Sequence, residues 1–158
     1  MRRSDREVTV YSEILDIMRR CDVCRLALND GDYPYILPLN FGMDVQGGRV
    51  TLYFHGAAQG RKYDIISRDN RASFEMDCSH RIVTRPEKKS CTMEYESVIG
   101  RGRIEMVEGS AKLAALKLLN AHYGAQELEI DEAVVQRTTV MRLVVEDITA
   151  KRRMVSKE

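Results

Sequence analysis

Leu52-Tyr53-Phe54-His55-Gly56-Ala57-Ala58-Gln59-Gly60-Arg61-Lys62 is the stretch on which the reading of this chain turns. It begins with the apolar and aromatic residues of a strand, passes through small residues, and sets two cations side by side. Tyr63 to Arg68 reads as a helix, which puts Arg61 and Lys62 in its first turn. A helix N-terminus already carries partial positive charge and unpaired N–H groups, so cations are out of place there. No Asp or Glu occurs from Val45 to Tyr63 to compensate. A bound anion would remove the conflict, and phosphate suits it best, because arginine offers a planar fork and lysine a point charge. The plain alternative is an exposed cationic turn in water.

Outward from that stretch, the composition is that of one ordinary globular domain spanning residues 1–158. Charged residues make up 31% and apolar residues 44%. The formal net charge of +1 gives no global field for nucleic acid or a membrane surface. No apolar run reaches spanning length, and the polar start Met1-Arg2-Arg3-Ser4-Asp5-Arg6-Glu7 lacks a signal-peptide core, so a cytoplasmic protein is expected. The basic run His80, Arg81, Arg85, Lys88 and Lys89 contains Glu87 and reads as a solvated loop.

Hydrophobic periodicity supplies the elements. Val10 to Arg20 carries Val10, Ile14, Ile17 and Met18 on one face and reads as a helix. Val23 to Leu28 is a strand that ends at the hairpin signal Asn29-Asp30-Gly31-Asp32. Tyr33 to Phe41 returns as a strand, with Pro34 and Pro38 restricting it to an edge or a bulge. Gly42 to Gly48 reads as a turn, and Arg49 to Phe54 as a third strand. Arg71 to Val83 and Cys91 to Val107 are long strands, and Gly100 and Gly102 signal a bulge or close backbone approach in the second. Ser110 to His122 is a helix expected to bury Ala111, Ala114, Ala115, Leu118 and Leu119. Asp131 to Gln136 reads as a short helix, and Thr138 to Ile148 as the last strand. Six strands with helices between them predict an α+β fold, mainly β: an antiparallel six-stranded barrel with flanking helices. Apolar residues on both faces of the last strand, Val140 and Val144 against Leu143 and Val145, point to a second subunit.

Four cysteines are present. Cys21 and Cys24 form a CxxC pair, but a helix precedes it and a strand follows, the reverse of a thioredoxin-type site. Cys21, Cys24, Cys78 and His80 could be drawn as zinc ligands. With no second CxxC or HxxxH pair, reduced and partly buried thiols are the expectation, and no metal. His80 and His122 read as structural or exposed. Tyr33, Tyr35, Tyr53 and Tyr95 could each stack on a ring, though such residues more often pack in a barrel or interface.

Taken in order, several segments resemble one family. They are Cys24-Arg25-Leu26-Ala27, Gly31-Asp32-Tyr33-Pro34-Tyr35, Pro38-Leu39-Asn40-Phe41-Gly42, Leu52-Tyr53-Phe54-His55, Gly60-Arg61-Lys62, Phe74-Glu75-Met76-Asp77 and Tyr95-Glu96-Ser97-Val98-Ile99-Gly100-Arg101-Gly102. The chain resembles the FMN-binding split-barrel proteins related to pyridoxamine 5'-phosphate oxidase, and within them the nitroimidazole-resistance (nim-type) branch. Ala150 departs from the pattern, where Gly would be expected. The resemblance implies a homodimer with FMN at the subunit interface. It implies that Pro38, Leu39 and Asn40 line the flavin ring, that Phe54 and His55 contact the ring and ribityl chain, that Arg61 and Lys62 hold the phosphate, and that Ser97 contributes from the long strand. His55 is the candidate catalytic residue, an imidazole able to donate a proton beside the flavin. Three functions are compatible with this: an FMN-dependent oxidoreductase acting on a small organic oxidant, with nitroaromatics among the candidates, a pyridoxamine-phosphate-oxidase-like enzyme, and a non-catalytic flavin-binding or storage protein. No second phosphate cluster supports the vitamer oxidase, and a deazaflavin or haem in place of FMN is left open.

Overall fold

A computed structural model describes residues 3–155. The chain runs β1 (Glu7–Val8), α1 (Tyr11–Arg20), β2 (Cys24–Asp30), β3 (Tyr33–Leu39), β4 (Gly42–Gln46), β5 (Arg49–Gly56), α2 (Arg61–Arg68), β6 (Arg71–Arg85), β7 (Ser90–Val107), α3 (Ala111–His122), α4 (Glu132–Arg137) and β8 (Thr139–Arg153). The strands form one antiparallel sheet in the order β3-β2-β6-β7-β8-β5-β4, with β1 added beside β8. The two end strands of that path, β3 and β4, are consecutive in the chain and joined only by Asn40 and Phe41. The sheet therefore curls until its two edges meet at a covalent seam, as a split barrel does.

The α+β class and the antiparallel barrel with outer helices are as the sequence predicts, but two strands are additional. Gly42 to Gln46, expected as part of a turn, is β4 and pairs with β5. Met43 and Val45 pack on the core from it. Gly42 sits under α3 so closely that a Cβ there would lie 2.6 Å from the Leu119 backbone nitrogen. Only Gly47 and Gly48, at φ of 56° and 77°, make the turn. The other addition, Glu7–Val8, is too short to register as a periodicity.

Alternation decides what faces where. On β5, Val50, Leu52 and Phe54 are buried, and Thr51, Tyr53 and His55 face the other way. The main core fills the barrel with Leu26, Leu28, Phe41, Leu52, Phe54, Phe74 and Met76, closed by Ile14, Ile17 and Met18 of α1. A second cluster lies outside the sheet, where Ala115, Leu116 and Leu119 of α3 cover Val107 and Val140 with Val135 of α4. Ala111 and Ala114, expected inside, are exposed, and Leu116 takes their place. Val140 is thus covered by its own chain and offers nothing to a second subunit.

The predicted bulge on β7 falls between Arg101 and Gly102, where the register against β8 shifts. A Cβ on Gly102 would sit 2.0 Å from the Val144 carbonyl oxygen, and one on Gly100 would sit 2.5 Å from the Phe74 ring. Only glycine permits this approach. Among the described residues no helix is long and apolar enough to cross a membrane.

Candidate functional site

The first turn of α2 holds Arg61 and Lys62 together with one acid, Asp64, which lies just past the acid-free stretch. Gly60 precedes the helix at φ 150°, a conformation glycine tolerates, and no side chain caps the helix. Arg61 and Lys62 enter its first turn. Arg61 does not stand unpaired: its Nη2 bonds to Asp30 at the end of β2. Its guanidinium carbon lies 5.5 Å from the centre of the Tyr35 ring. Arg68, two turns further along α2, donates to the other Asp30 oxygen at 3.2 Å. Asp30 is only 11% exposed, whereas Arg61 and Arg68 are 67% and 68% exposed. The anion that the sequence demands is thus supplied in part by the chain itself, from a strand remote in sequence. One Nη2 atom of Arg61 is engaged, and the rest of its fork remains open to solvent.

Lys62 makes no ion pair among the described residues. Its ammonium lies 4.4 Å from the centre of the Tyr63 ring and packs close over Gly56. Burial raises the Tyr63 hydroxyl above its ordinary value, partly offset by a hydrogen bond with Thr139. His55 is exposed at the end of β5, opposite Val140, and makes no hydrogen bond or ion pair among the described residues.

The other expected contacts lie farther off. Phe54 is 0% exposed, and its ring points into the barrel away from His55. It can offer a ligand its backbone and not its ring. Pro38 and Asn40 are exposed on β3 and at the seam, and Leu39 is half-buried against the core. Ser97 lies on the outer face of β7 between Asp77 and Lys151. The row Pro38–Arg25–Glu75–Ile99 crosses three strand steps, so β3 and β7 are about 14 Å apart on that face. One chain brings Arg61 and Lys62 together, with Gly56 beside them. It does not bring Ser97 to them.

Sequence reasoning misses Asp30, Arg68 and Tyr35 as neighbours of Arg61, because Asp30 reads there as part of a hairpin signal. The one available clue is the spacing of Arg61 and Arg68, two turns apart on one helix.

The cysteines are placed as small apolar residues. Cys21 and Cys24 are buried, and burial pushes both thiols well above their ordinary range. The Cys21 thiol donates to the Ile17 carbonyl at 3.3 Å. His80 pairs with Asp77 at 2.9 Å. His122 is half-buried, bonded to the Cys21 carbonyl at 2.8 Å and packed on Phe41 with ring centres 4.1 Å apart. Arg81 of the basic run pairs with Glu94 at 2.7 Å along the β6–β7 hairpin.

A second charge cluster lies across the sheet. The Glu96 carboxylate accepts from Arg152 at 2.6 Å, from Ser79 at 2.8 Å and from Arg20. Arg152 also reaches Glu13 of α1 at 2.6 Å. Burial alone would raise the Glu96 carboxyl, but the bonds from Arg152, Ser79 and Arg20 outweigh it and hold the group below its ordinary value near 4.5.

A family model described as pyridoxamine 5'-phosphate oxidase matches residues 11–152. Among solved structures, a candidate 5-nitroimidazole antibiotic resistance protein from Bacteroides thetaiotaomicron superposes with a TM-score of 0.80 at 26% identity, covering 92% of this chain and 85% of that one. The FAD and heme binding protein of Mycobacterium smegmatis gives 0.78 at 18% identity, over 93% of this chain and 73% of that one. A FAD-binding protein from Mesorhizobium loti gives 0.69 at 18%, over 94% and 98%. No curated protein matches the chain.

Proposed function

The chain belongs to the pyridoxamine 5'-phosphate oxidase family, and from that premise we propose that it is a flavoprotein that binds FMN and reduces a small organic, nitroaromatic substrate. The observation that carries the reading is the start of α2: an uncapped helix terminus with a lysine lacking any carboxylate partner among the described residues and an arginine using only part of its donor fork. Those donors suit a phosphate monoester. The flavin-binding neighbours support the cofactor class, and the Bacteroides neighbour supports the nitroimidazole-resistance branch.

In this reading a bound flavin supplies the electrons for the reduction. Arg61 and Lys62 anchor its phosphate and so fix where its ring lies. Pro38 and Asn40 at the seam offer a rigid edge and an amide donor. His55, exposed beside Gly56, delivers a proton from an imidazole nitrogen to the substrate oxygen on which negative charge develops. Ser97 reaches the site from a second copy. The separation of Ser97 from Arg61 within one chain, and the exposed Ile36 and Ile99 on the same outer face, favour a homodimer with the flavin at its interface. The four free cysteines suit a reducing cytoplasm.

The purified protein is expected to show flavin absorption bands and to bind FMN more tightly than riboflavin. Changing Arg61 and Lys62 together to Ala should weaken FMN binding by about ten- to a hundredfold, the loss of roughly one charge-assisted bond, and leave riboflavin binding nearly unchanged. Equal loss for both ligands would refute the phosphate assignment. A His55→Ala variant should fold and keep its flavin, while stopped-flow reoxidation of the reduced flavin by a nitroaromatic slows about ten- to a thousandfold with an altered pH profile. Identical rates and profiles would instead favour the non-catalytic flavin-storage function.

A further inference from the structure

The two cysteines nearest each other in sequence are not the two that meet in the fold. Cys24 is buried on the inner face of β2, and the charged groups acting on its thiol are Glu75 and Arg25. Cys21 ends α1 and turns toward a different thiol, that of Cys78 on β6. The Cys21 Sγ lies 3.3 Å from the Ile17 carbonyl oxygen, and the Cys78 Sγ lies 4.0 Å from the same atom. The two side chains are in hydrogen-bonding contact beside that carbonyl. The run of β6 brings Cys78 there, because it follows Phe74 and Met76 on the strand face that packs on the core. Just beyond it the β6–β7 register breaks between Cys78 and Arg81, and Ser79 takes φ 60°, a left-handed conformation costly for a residue other than glycine. The bulge leaves Cys78 at the rim of the core, half-buried, whereas Cys21 is 2% exposed. Around the Cys78 sulfur stand the Ser79 hydroxyl at 3.6 Å and the Glu96 carboxylate at 4.0 Å, and Arg20 lies within electrostatic reach. A reachable sulfur with a second, buried one in contact is the arrangement of a redox-sensitive dithiol.

We infer that Cys21 and Cys78 are an oxidation site, joined in a reversible disulfide when the protein meets a hydroperoxide, with Cys78 as the attacking sulfur and Cys21 as the resolving one. With hydrogen peroxide, the Cys78 sulfur takes one oxygen as the O–O bond breaks, and the thiol proton leaves with the other oxygen as water. The Cys21 sulfur then displaces the oxygen from Cys78, and the Cys21 proton departs with it as a second water. The two thiols give up two electrons, and one peroxide becomes two waters. Burial of Cys21 keeps it from reacting first. A reducing thiol reverses the bond by exchange, so the pair is reduced at rest in a reducing compartment. The inference goes beyond the flavoprotein reading and does not rest on it.

The test treats the reduced, folded full chain with millimolar hydrogen peroxide, alkylates the remaining thiols after denaturation, and maps the peptides by mass spectrometry without reduction. The expected product has Cys78 bonded to Cys21 and Cys24 still free to alkylate. Fragmentation between Cys21 and Cys24 distinguishes them, since both lie on the tryptic peptide that ends at Arg25. Dithiothreitol should remove the bond and restore both thiols. Cys78→Ser should abolish the linked peptide, and Cys21→Ser should leave a sulfenic acid on Cys78 that dimedone traps. A dimedone adduct on Cys21 of Cys78→Ser, with none on Cys78 of Cys21→Ser, would overturn Cys78 as the attacking sulfur. Absence of the Cys21–Cys78 bond from the unaltered protein would overturn the site, whether Cys21 pairs with Cys24, Cys91 links two chains in its place, or the thiols stay unreacted. That result is read on the unaltered chain and does not depend on how the variants fold.

Discussion

Two carboxylates in this molecule are each gripped by two arginines, and the resemblance ends there. Glu96 is 4% exposed, and its arginines are themselves partly covered. Ser79 adds a third bond, and Arg152 is tied onward to Glu13. At Asp30 the carboxylate is also sheltered, but both arginines lie open on the flank of α2. The first assembly uses its donors inside the fold, joining α1, β6, β7 and β8. The second holds an arginine in place by one atom and leaves the rest of its fork for something else. A charge cluster is structural or receptive according to the donors it has left over, not the charges it contains.

That contrast can be broken by measurement. Glu96→Gln should cost about 1.5–3 kcal/mol in urea unfolding, because a buried carboxylate loses its charge-assisted bonds to Arg152 and Arg20. A cost below about 0.5 kcal/mol, the range of ordinary surface changes, would make this cluster as slack as the other. The acid limb sharpens the same point. A carboxyl held lower in the folded than in the unfolded chain contributes stability that is complete above the unfolded value near 4.5 and is lost as pH falls through the folded one. Glu94, lowered by Arg81 and by the Val155 N–H, acts in the same direction. Stability should therefore fall more steeply below pH 4.5 in the unaltered protein than in Glu96→Gln, and parallel curves would remove Glu96 from the acid response. The smallest effect is expected at Asp30→Asn, less than about 1 kcal/mol, since both partners are exposed. If it destabilises as much as Glu96→Gln, then Arg61 is committed to the fold and unable to serve a ligand.

The architecture is legible in the sequence because alternation of Val50, Leu52 and Phe54, or of Ala72, Phe74 and Met76, is a property of neighbouring residues. The same holds for Pro34 and Pro38, which mark β3 as an edge, and for Gly102, which marks the bulge. Gly42 is misleading because a glycine that makes room for a helix looks in sequence like one that makes a turn. The site is legible only in part. The cations at α2 can be found from their place on a helix, but Asp30 reaches Arg61 through tertiary packing, which no local pattern encodes. Phe54 and His55 show the opposite case. Adjacent residues of a strand face opposite ways, so the pleat buries Phe54 and exposes His55.

The strand order also governs when the molecule can exist. β2 with β3, β4 with β5 and β6 with β7 are neighbours along the chain and can pair as they are made. β8 is different: it lies between β7 and β5 and carries β1, so residues 7–8 wait for residues 150–151. During synthesis β2 can pair with β6 and merge two of these hairpins into one sheet, whereas the β4–β5 hairpin has no strand partner before β8. The strand that joins the β4–β5 hairpin to the others is the last of the eight to leave the ribosome, and such non-local pairing is slow to form. Until then, the nascent protein has the means for one four-stranded sheet and one hairpin that stands apart from it.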